Sequence, residues 1–327
     1  MTFHRPGAIL YPVKALKHKM LIGKIKPPPT ERFFVYRKRG MNMKQLKIAI
    51  VGLGLIGGSF CKAIAEKTNH RCWGYDLNEE TCRMALESGA VEGILDPNGD
   101  LSAFDLIMIC LHPKQTISFI LDHAGQFGSD TLIVDSCGVK EMVVDAVEPV
   151  LREKGVPFIG AHPMAGREFS GFAYALPTLY EGASFIMTPS DDADETHIAL
   201  LSDLMAELGF ARIVRTTPEK HDATIAFTSQ IAHVLSNAYV KSPTLQNQSG
   251  FSAGSFQDLS RVARLNEYMW TDLFMMNRPA LQFELDVLIR HLQEYADALA
   301  AGDEDKLRAL LRDGRELKEW SDEQNKR

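Results

Sequence analysis

The sequence predicts an α/β protein with a doubly wound, mostly parallel sheet at the N-terminal side and an all-helical C-terminal domain. Three observations support this fold class. A short apolar run at 48–51 leads through a glycine-rich turn into a helix-like segment. Strand-like and helix-like segments then alternate as far as residue 217. After Pro218 the strand signals vanish, and apolar residues recur at helical spacing.

The glycine-rich turn has the pattern Gly52-x-Gly54-x-x-Gly57. In a Rossmann-type unit the first glycine permits the tight turn, the second lets the backbone approach a pyrophosphate, and the third lets helix and strand pack closely. A helix N-terminus also offers free N–H groups to phosphates. We therefore expect the three glycines, with Leu55 and Ile56, to bind a dinucleotide; the alternative is a phosphate-free turn.

A second predicted strand, 71–76, ends at an acidic residue, Asp76, which lies 19 residues after Gly57. This is close to the spacing of a carboxylate that binds the adenosine ribose. A carboxylate can bond both ribose hydroxyls of NAD and repels a 2′-phosphate. The following residues, 77–80, lack the Arg or Ser cluster expected for NADP. The sequence therefore predicts NAD as the cofactor.

Further segments justify the rest of the fold in chain order. Helical patterns cover 78–88, 114–127, 139–154 and 191–209, and strand-like runs cover 105–111, 131–135, 157–161, 183–187 and 211–217. Later helical patterns cover 219–241, 255–291 and 303–320, and Pro279 is expected to kink or split the second of these. These patterns place an NAD-binding Rossmann-type domain at 45–217 and a helical substrate-binding domain at 218–327. Helices that are apolar on several faces often pair with a second copy, which predicts a homodimer.

Residues 1–44 form a basic arm, with eleven Lys or Arg residues and one acid, Glu31. We interpret the arm as a disordered extension, or as the result of an upstream start codon for a protein that begins near Met41. An aromatic–basic pattern typical of nucleic-acid binding is missing, as is an apolar run long enough to span a membrane.

Five scattered cysteines indicate buried thiols in a reducing compartment, the cytoplasm. No HExxH or Cys/His cluster suggests a metal.

Candidate chemistry lies at the carboxyl ends of the predicted strands, where doubly wound folds bind ligands. One stretch contains His112 and Pro113, which we expect beside the cofactor. A second runs from 135 to 140, and a third contains His162 followed by Pro163 and a glycine-rich loop. A histidine in such a place can act as an acid or base facing the cofactor, although a lone histidine is more often structural.

Taken together, several motifs resemble the prephenate/arogenate dehydrogenases of tyrosine biosynthesis. They are GLGLIGGS at 52–59, D-x-x-x-V-K at 135–140, AHPMAG at 161–166 with Glu168 after it, and GSFQDLSR at 254–261 with Met-Trp at 269–270. The resemblance covers about 46–320. It implies oxidation of the ring carbon that bears the 4-hydroxyl group, transfer of hydride to NAD⁺ or NADP⁺, and loss of the ring carboxylate as CO₂.

The resemblance also implies roles for individual residues. His162 matches the catalytic histidine that takes the proton of the 4-hydroxyl group. Arg261 matches the arginine that binds a substrate carboxylate, and His233 matches a histidine that contacts the substrate. Trp270 lies where the family has an active-site tryptophan, and Glu168 where it has a gating acid. Without the resemblance, the tryptophan and histidines could be core residues, and Arg261 could be a surface ion pair.

One position departs from the family pattern. The family has a serine that orients the hydroxyl group and the histidine, whereas this chain has Gly138. Ser136, Cys137 or a water could take that role, or the histidine could be oriented in another way. Ser136 is the weak catalytic candidate. Arg167, beside Glu168, adds positive charge and favours prephenate, which is more anionic than arogenate.

Three alternatives stay open at this stage. The first is an arogenate dehydrogenase that gives tyrosine directly. The second is a 3-hydroxyacid or imine-reducing dehydrogenase, which would need a catalytic lysine; Lys220 and Lys241 are available but lack the glycine-rich setting. The third is a non-catalytic NAD-binding sensor.

Overall fold

A computed structural model describes residues 44–167 and 169–325. The basic arm predicted over 1–44 therefore lies outside the described residues except for Lys44. The described residues contain eight strands: β1 (Lys47–Val51), β2 (Arg71–Tyr75), β3 (Gly93–Ile94), β4 (Leu106–Ile109), β5 (Leu132–Asp135), β6 (Phe158–Pro163), β7 (Ser184–Thr188) and β8 (Arg212–Arg215). Five helices join them: α1 (Leu55–Lys67), α2 (Glu79–Glu87), α3 (Pro113–His123), α4 (Glu141–Glu153) and α5 (Glu195–Leu208).

The eight strands form one sheet in the order β3-β2-β1-β4-β5-β6-β7-β8. Neighbouring strands are parallel except for β6 and β7, which pair antiparallel. The chain order reverses direction between β1 and β4, so the carboxyl ends of these two strands flank a crevice in which doubly wound folds bind ligands. The predicted mostly parallel, doubly wound sheet is confirmed.

Apolar residues cover both faces of the central strands, which explains their unbroken hydrophobic runs. Successive residues of β1 alternate between two core clusters, with Ile48 and Ile50 in one and Ala49 and Val51 in the other. All four are fully buried. A parallel strand with helices on both sides has no solvent-facing side, so its sequence does not alternate between polar and apolar residues.

The remainder of the described chain is helical, as predicted. It contains α6 (Pro218–Ile225), a π-helical turn (Ala226–Gln230), α7 (Ile231–Tyr239), α8 (Gly254–Ser260), α9 (Glu267–Met276), α10 (Arg278–Ala301) and α11 (Glu304–Asn325). Pro279 stands in the first turn of α10 and splits the middle segment, as expected, because proline needs no N–H partner there. The sequence pattern did not indicate a second break, at 261–266, between α8 and α9.

A buried ion pair ties the carboxyl ends of β5 and β6 to the start of α4. Asp135 and Lys140 are fully buried, and the Lys140 ammonium binds the Asp135 carboxylate. The Lys140 Nζ also donates to the carbonyl oxygen of Ala161 at 2.6 Å. The Asp135 carboxylate accepts from the Ala161 backbone N–H at 3.1 Å. Both groups thus hold the residue that directly precedes His162.

In the described part of the chain, no helix is both long enough and apolar enough to cross a membrane.

Candidate active site

The glycine-rich loop after β1 is closed on one side and open on the other. Gly52 adopts φ +91°, and a Cβ there would lie 2.6 Å from the Cys110 carbonyl oxygen, so only glycine fits. A Cβ on Gly57 would lie 1.8 Å from the Gly52 carbonyl oxygen. A Cβ on Gly54, by contrast, would meet no described atom within 4 Å. The loop is therefore closed where it packs on the protein and open at Gly54, at the start of α1.

Asp76 follows β2 directly and holds the glycine-rich loop from the side. One carboxylate oxygen accepts from the Leu53 backbone N–H at 2.8 Å, and the other accepts from the Asn78 backbone N–H at 2.9 Å. Each carboxylate oxygen can accept more than one hydrogen bond, so both retain capacity for ribose hydroxyl groups. The partly exposed Asp76 therefore has the position and chemistry predicted for a ribose-binding acid.

The loop after β4 forms another wall of this edge. His112 is exposed and occupies the N-cap of α3, and Pro113 is the first residue of that helix. Lys114 reaches across to the helical part and forms an ion pair with Asp272 of α9 at 2.5 Å. Asp272 lies on the same helix as Trp270, so this exposed pair links the predicted cofactor loop to the predicted substrate helix.

His162 lies near the end of β6 and is joined to a second histidine. Its Nδ1 lies 2.9 Å from Nε2 of His221, and Nδ1 of His221 lies 2.7 Å from the Asp222 carboxylate. His221 and Asp222 are both about 2% exposed, whereas His162 is only partly buried. The Asp222 carboxylate also accepts from the backbone N–H groups of Lys140 at 2.8 Å and Glu141 at 3.0 Å.

Electrostatics keep both histidines neutral near neutral pH. Burial lowers the pKa of His162 well below its ordinary value, and neighbouring His221 and the Lys140 ammonium act in the same direction by disfavouring a further positive charge. Burial also lowers the pKa of His221, and this effect outweighs the opposing attraction of the Asp222 carboxylate. A neutral imidazole can accept a proton, which is the property a general base requires.

The loop between β5 and α4 passes beside His162. A Cβ on Gly138 would lie 3.7 Å from His162 Nε2 and 3.9 Å from the Leu273 side chain of α9, both ordinary contacts. Ser136 Oγ donates instead to the Ile109 carbonyl oxygen at 3.3 Å, and the Cys137 thiol faces Thr116 Oγ1 at 3.4 Å. Position 138 therefore faces the catalytic candidate, while neighbouring Ser136 and Cys137 hydrogen-bond to β4 and α3.

The thiols at this edge are poor nucleophiles. Burial raises the pKa of Cys110 to about 12 and raises the pKa of Cys137 as well. Both thiols therefore stay protonated at neutral pH, and a thiol reacts as a nucleophile through its thiolate. All five cysteines of the chain are free.

The helical part brings two of the predicted substrate residues together. The rings of His233 and Trp270 stack with centroids 4.0 Å apart. His233 Nδ1 lies 2.9 Å from the Ser229 carbonyl oxygen, so that nitrogen is the donor. Arg261 is exposed at the end of α8, where a short 3₁₀ turn begins. Asn237 of α7 donates to the backbone of this turn, at Ala263, at 3.2 Å.

The π-helical turn explains how one helix presents both of its histidines. In an uninterrupted α-helix, the twelve residues from His221 to His233 would leave the two side chains about 120° apart around the axis. A π turn accommodates one extra residue, which reduces the rotation between the two side chains by about 100°. The angle between them around the helix axis is then about 20°. His221 and His233 therefore project from nearly the same face.

Two predicted features are not tested by this geometry. Glu168 lies outside the described residues, so its predicted gating role stays a prediction. Arg167 is exposed, and its guanidinium lies 5.5 Å from the ring centre of Phe169. Among the residues at 44–167 and 169–325, no group of three or more His, Cys, Asp or Glu side chains could hold a metal ion.

Sequence reasoning missed His221, whose ring contacts His162, and Asp222, whose carboxylate contacts His221. The chain separates His162 from His221 by 59 residues. The only local signal was an adjacent His-Asp pair in the first turns of a predicted helix, which is usually a solvated helix start. Gln230 and Asn277 were missed as well; Asn277 Nδ2 donates to Gln230 Oε1 and to the Asp222 carbonyl oxygen, both at 2.8 Å.

The open glycine-rich loop, the acid after β2 and a neutral histidine at the same edge of the sheet define a Rossmann-type dehydrogenase with a helical second part. Comparisons with known proteins agree with this class. Residues 60–215 match the family model described as prephenate dehydrogenase, nucleotide-binding domain, and residues 217–313 match prephenate dehydrogenase, dimerization domain. The chain belongs to the prephenate dehydrogenase family.

Individual relatives extend over most of the chain. It is 32% identical to the prephenate dehydrogenase of Bacillus subtilis (strain 168) over 269 residues, which cover 78% of this chain and 70% of the relative. It is 29% identical to the cyclohexadienyl dehydrogenase of Zymomonas mobilis over 276 residues, 80% of this chain and 90% of the relative. A solved prephenate dehydrogenase of Aquifex aeolicus, in complex with hydroxyphenyl propionate and NAD⁺, has a TM-score of 0.75 and 26% identity, and the match covers 85% of this chain and 99% of that one.

Two glycine substitutions should separate the two roles of the loop. Gly54→Ala places a methyl group in open space, so the melting temperature should stay unchanged while NAD⁺ binding weakens by roughly 10–200-fold, the range for one misplaced methyl-sized group. Gly57→Ala forces a methyl group onto the Gly52 carbonyl oxygen and should destabilise the fold by about 1–3 kcal/mol. Thermal unfolding and NAD⁺ titration measure both effects. Equal NAD⁺ affinity in Gly54→Ala and the wild type would contradict the assignment of the glycine-rich loop as the pyrophosphate site.

Proposed function

We propose that the protein is an NAD-dependent prephenate dehydrogenase of tyrosine biosynthesis. It converts prephenate to 4-hydroxyphenylpyruvate and CO₂ by oxidative decarboxylation and forms NADH. The observation that carries this proposal is the partly buried, neutral His162, which lies at the same sheet edge as the glycine-rich loop. The family membership supports the reaction class.

The residues present fit a bound NAD. Gly54 leaves the start of α1 open to a pyrophosphate, and Asp76 offers carboxylate oxygens to the adenosine ribose. The exposed Asn78 and Glu79 that follow Asp76 carry no positive charge for a 2′-phosphate. The Aquifex aeolicus enzyme was solved in complex with NAD⁺, which supports the same choice. When bound, NAD⁺ supplies a hydride acceptor.

The protein side of the reaction needs one proton acceptor and firm positioning. His162 accepts the proton of the 4-hydroxyl group at Nε2 while hydride leaves the carbon that bears this hydroxyl. The ring carboxylate then departs as CO₂, and its bonding electrons move through the ring to the ketone oxygen, so that the ring becomes aromatic. The phenolate oxygen takes the proton back from the His162 imidazolium, which gives the 4-hydroxyl group of the product and restores the neutral base. Aromatisation supplies the driving force, so the chain contributes mainly orientation and proton transfer.

The helical side supplies the substrate contacts in this proposal. Arg261 binds a substrate carboxylate, for which a planar guanidinium fork is well suited. The stacked pair of His233 and Trp270 contacts the substrate beyond its ring, and Glu168 serves as the gating acid. Ser136 stays only a weak catalytic candidate, because its hydroxyl group donates to a β4 carbonyl oxygen.

Prephenate is preferred over arogenate in this proposal. The positive charge of Arg167 on the loop after His162 favours the more anionic substrate. The Bacillus subtilis relative, at 32% identity, is named a prephenate dehydrogenase, which supports the same choice. Arogenate dehydrogenation is the second candidate, because the Zymomonas mobilis relative is named a cyclohexadienyl dehydrogenase.

A homodimer through the helical part completes the proposal. Leu299 of α10 and Leu317 of α11 are 65% and 63% exposed, so these two helices offer apolar side chains that a second copy of the chain can cover. The second family model is described as a dimerization domain. We expect light scattering to give twice the 36.5 kDa mass of the chain. A monomeric mass would contradict the dimer.

A cytoplasmic location fits the five free thiols.

The function is tested by following NADH formation at about 340 nm with prephenate or arogenate and with NAD⁺ or NADP⁺. We expect the highest kcat/KM with prephenate and NAD⁺. The His162→Asn variant should lose roughly 10²–10⁴-fold in kcat while it still binds NAD⁺ and substrate, because only the proton acceptor is removed.

The four substrate and cofactor pairs separate the alternatives. A higher kcat/KM with arogenate would replace the first candidate by the second, and a higher value with NADP⁺ would overturn the assignment of Asp76. Wild-type protein that binds NAD⁺ but turns over none of the four pairs would indicate a non-catalytic sensor.

The acidic limb of kcat/KM should report the lowered pKa of His162. The protonated imidazole cannot accept a proton, so activity falls as the pH drops through that pKa. Because burial places the pKa of His162 well below about 6.5, activity should persist below the pH at which an ordinary histidine titrates. The titratable groups facing the pair are Lys140, Asp135 and Asp222. Loss of half of the maximal kcat/KM at or above about pH 6.5 on the acidic side would contradict this prediction.

A further inference from the structure

A chain of ring and carboxylate contacts runs inward from His162. Nδ1 of His162 lies 2.9 Å from His221 Nε2, and His221 Nδ1 lies 2.7 Å from a carboxylate oxygen of Asp222. His162 belongs to β6, whereas His221 and Asp222 belong to α6 of the helical part. The contact therefore crosses from the sheet to the helices and depends on the position of both.

Asp222 is held so that it acts only as an acceptor. Its two carboxylate oxygens receive the backbone N–H groups of Lys140 and Glu141 at the start of α4, at 2.8 and 3.0 Å. The positive end of a helix dipole favours a negative charge at this place. Its own carbonyl oxygen accepts from Asn277 Nδ2 at 2.8 Å, and its side chain is fully enclosed.

These contacts determine which nitrogen of each ring carries hydrogen. Because the Asp222 oxygen accepts, His221 Nδ1 must donate, and a neutral His221 then has a lone pair on Nε2. That lone pair accepts from His162 only if His162 Nδ1 carries the hydrogen. A neutral His162 then has its own lone pair on Nε2, the nitrogen 3.7 Å from where a Cβ of residue 138 would stand.

We propose that His221 and Asp222 are positioning residues that hold His162 in the Nδ1–H tautomer, with Nε2 as the proton acceptor. The proposal rests on the proposed function for the identity of the proton donor, the substrate hydroxyl group. Neither residue touches the substrate. His162 becomes a competent base only when α6 is docked on the sheet, so the base is assembled from both parts of the chain.

We call the chain of contacts from His162 through His221 to Asp222 the relay. It also explains how the positive charge that forms when His162 accepts a proton is stabilised. When Nε2 takes the proton, Nδ1 keeps its hydrogen bond to His221, which in turn stays bonded to the Asp222 carboxylate. The imidazolium that forms therefore has an oriented acceptor at Nδ1. An acceptor that is already in place lowers the cost of proton transfer, since no reorganisation is needed at that moment.

Nitrogen-15 NMR of the histidine rings tests the relay without any turnover. In full-length wild-type protein with NAD⁺ bound, at a pH where His162 is neutral, we expect Nδ1 of His162 to be protonated and Nε2 to be unprotonated. The His162→Asn variant identifies the signal by its loss. A wild-type signal with the proton on Nε2 would overturn the proposal, whatever the kinetic results.

The His221→Phe variant keeps the ring volume and removes both nitrogens. We expect His162 to lose the Nδ1–H preference, kcat to fall by roughly 10²-fold, the lower end of what a general base contributes, and KM to change little. His123→Phe is the matched control, because it removes a histidine hydrogen bond of 2.8 Å on α3, away from the relay, and should leave kcat unchanged.

These readouts separate the relay from the proposed function. Wild-type protein with the expected tautomer but no activity toward prephenate or arogenate would refute the function and leave the relay standing. Full kcat in folded His221→Phe would refute the relay and leave the function standing. Should His221→Phe fail to fold, the tautomer of the wild-type His162 still decides the question.

Discussion

The Asp222 carboxylate is the contact on which the geometry of the site depends. It receives two backbone N–H groups from the start of α4 and the ring N–H of His221, all in a place closed to solvent. A hydrogen bond to a charged group contributes about 1.5–3 kcal/mol, so this set of three contacts permits little sliding of α6 against α4. Lys140 extends the constraint, because its ammonium binds Asp135 and the Ala161 carbonyl oxygen next to His162. The backbone of the catalytic candidate and its ring partner are thus fixed by one connected set of polar groups.

A second constraint links the candidate base to the cofactor loop through the chain that follows β6. After His162 the chain crosses α1, where Leu176 donates its backbone N–H to Ser59 Oγ at 3.0 Å. The buried Tyr180 donates its hydroxyl group to the Ile56 carbonyl oxygen at 2.6 Å. Gly58 is required here, since a Cβ would lie 2.7 Å from the Phe172 ring. The same stretch that carries His162 therefore also positions α1, whose N-terminus is the proposed pyrophosphate site.

The parts of the site that depend on local sequence could be predicted, and the parts that depend on packing could not. The strand, turn and helix at 47–67 and the acid Asp76 are specified by neighbours in the chain, and Pro279 marks its helix start by its own chemistry. The π turn at 226–230 has no such marker, because its sequence reads as ordinary helix. His221 gains its importance only from a ring contributed by β6. A pattern of residue types cannot show which two histidines meet when 59 positions separate them.

The relay bears on position 138, where the resemblance to the family predicts a serine and this chain has Gly138. A serine at position 138 would have two tasks, to orient the histidine and to orient the substrate hydroxyl group. Under the proposed relay, His221 already performs the first task from the opposite nitrogen of the ring. Gly138 then lacks only the second function. A Cβ added at this position would lie at ordinary contact distance from His162 Nε2 and from the Leu273 side chain. A substrate hydroxyl group can approach Nε2 without competition from a serine, because the tautomer no longer depends on that side of the ring.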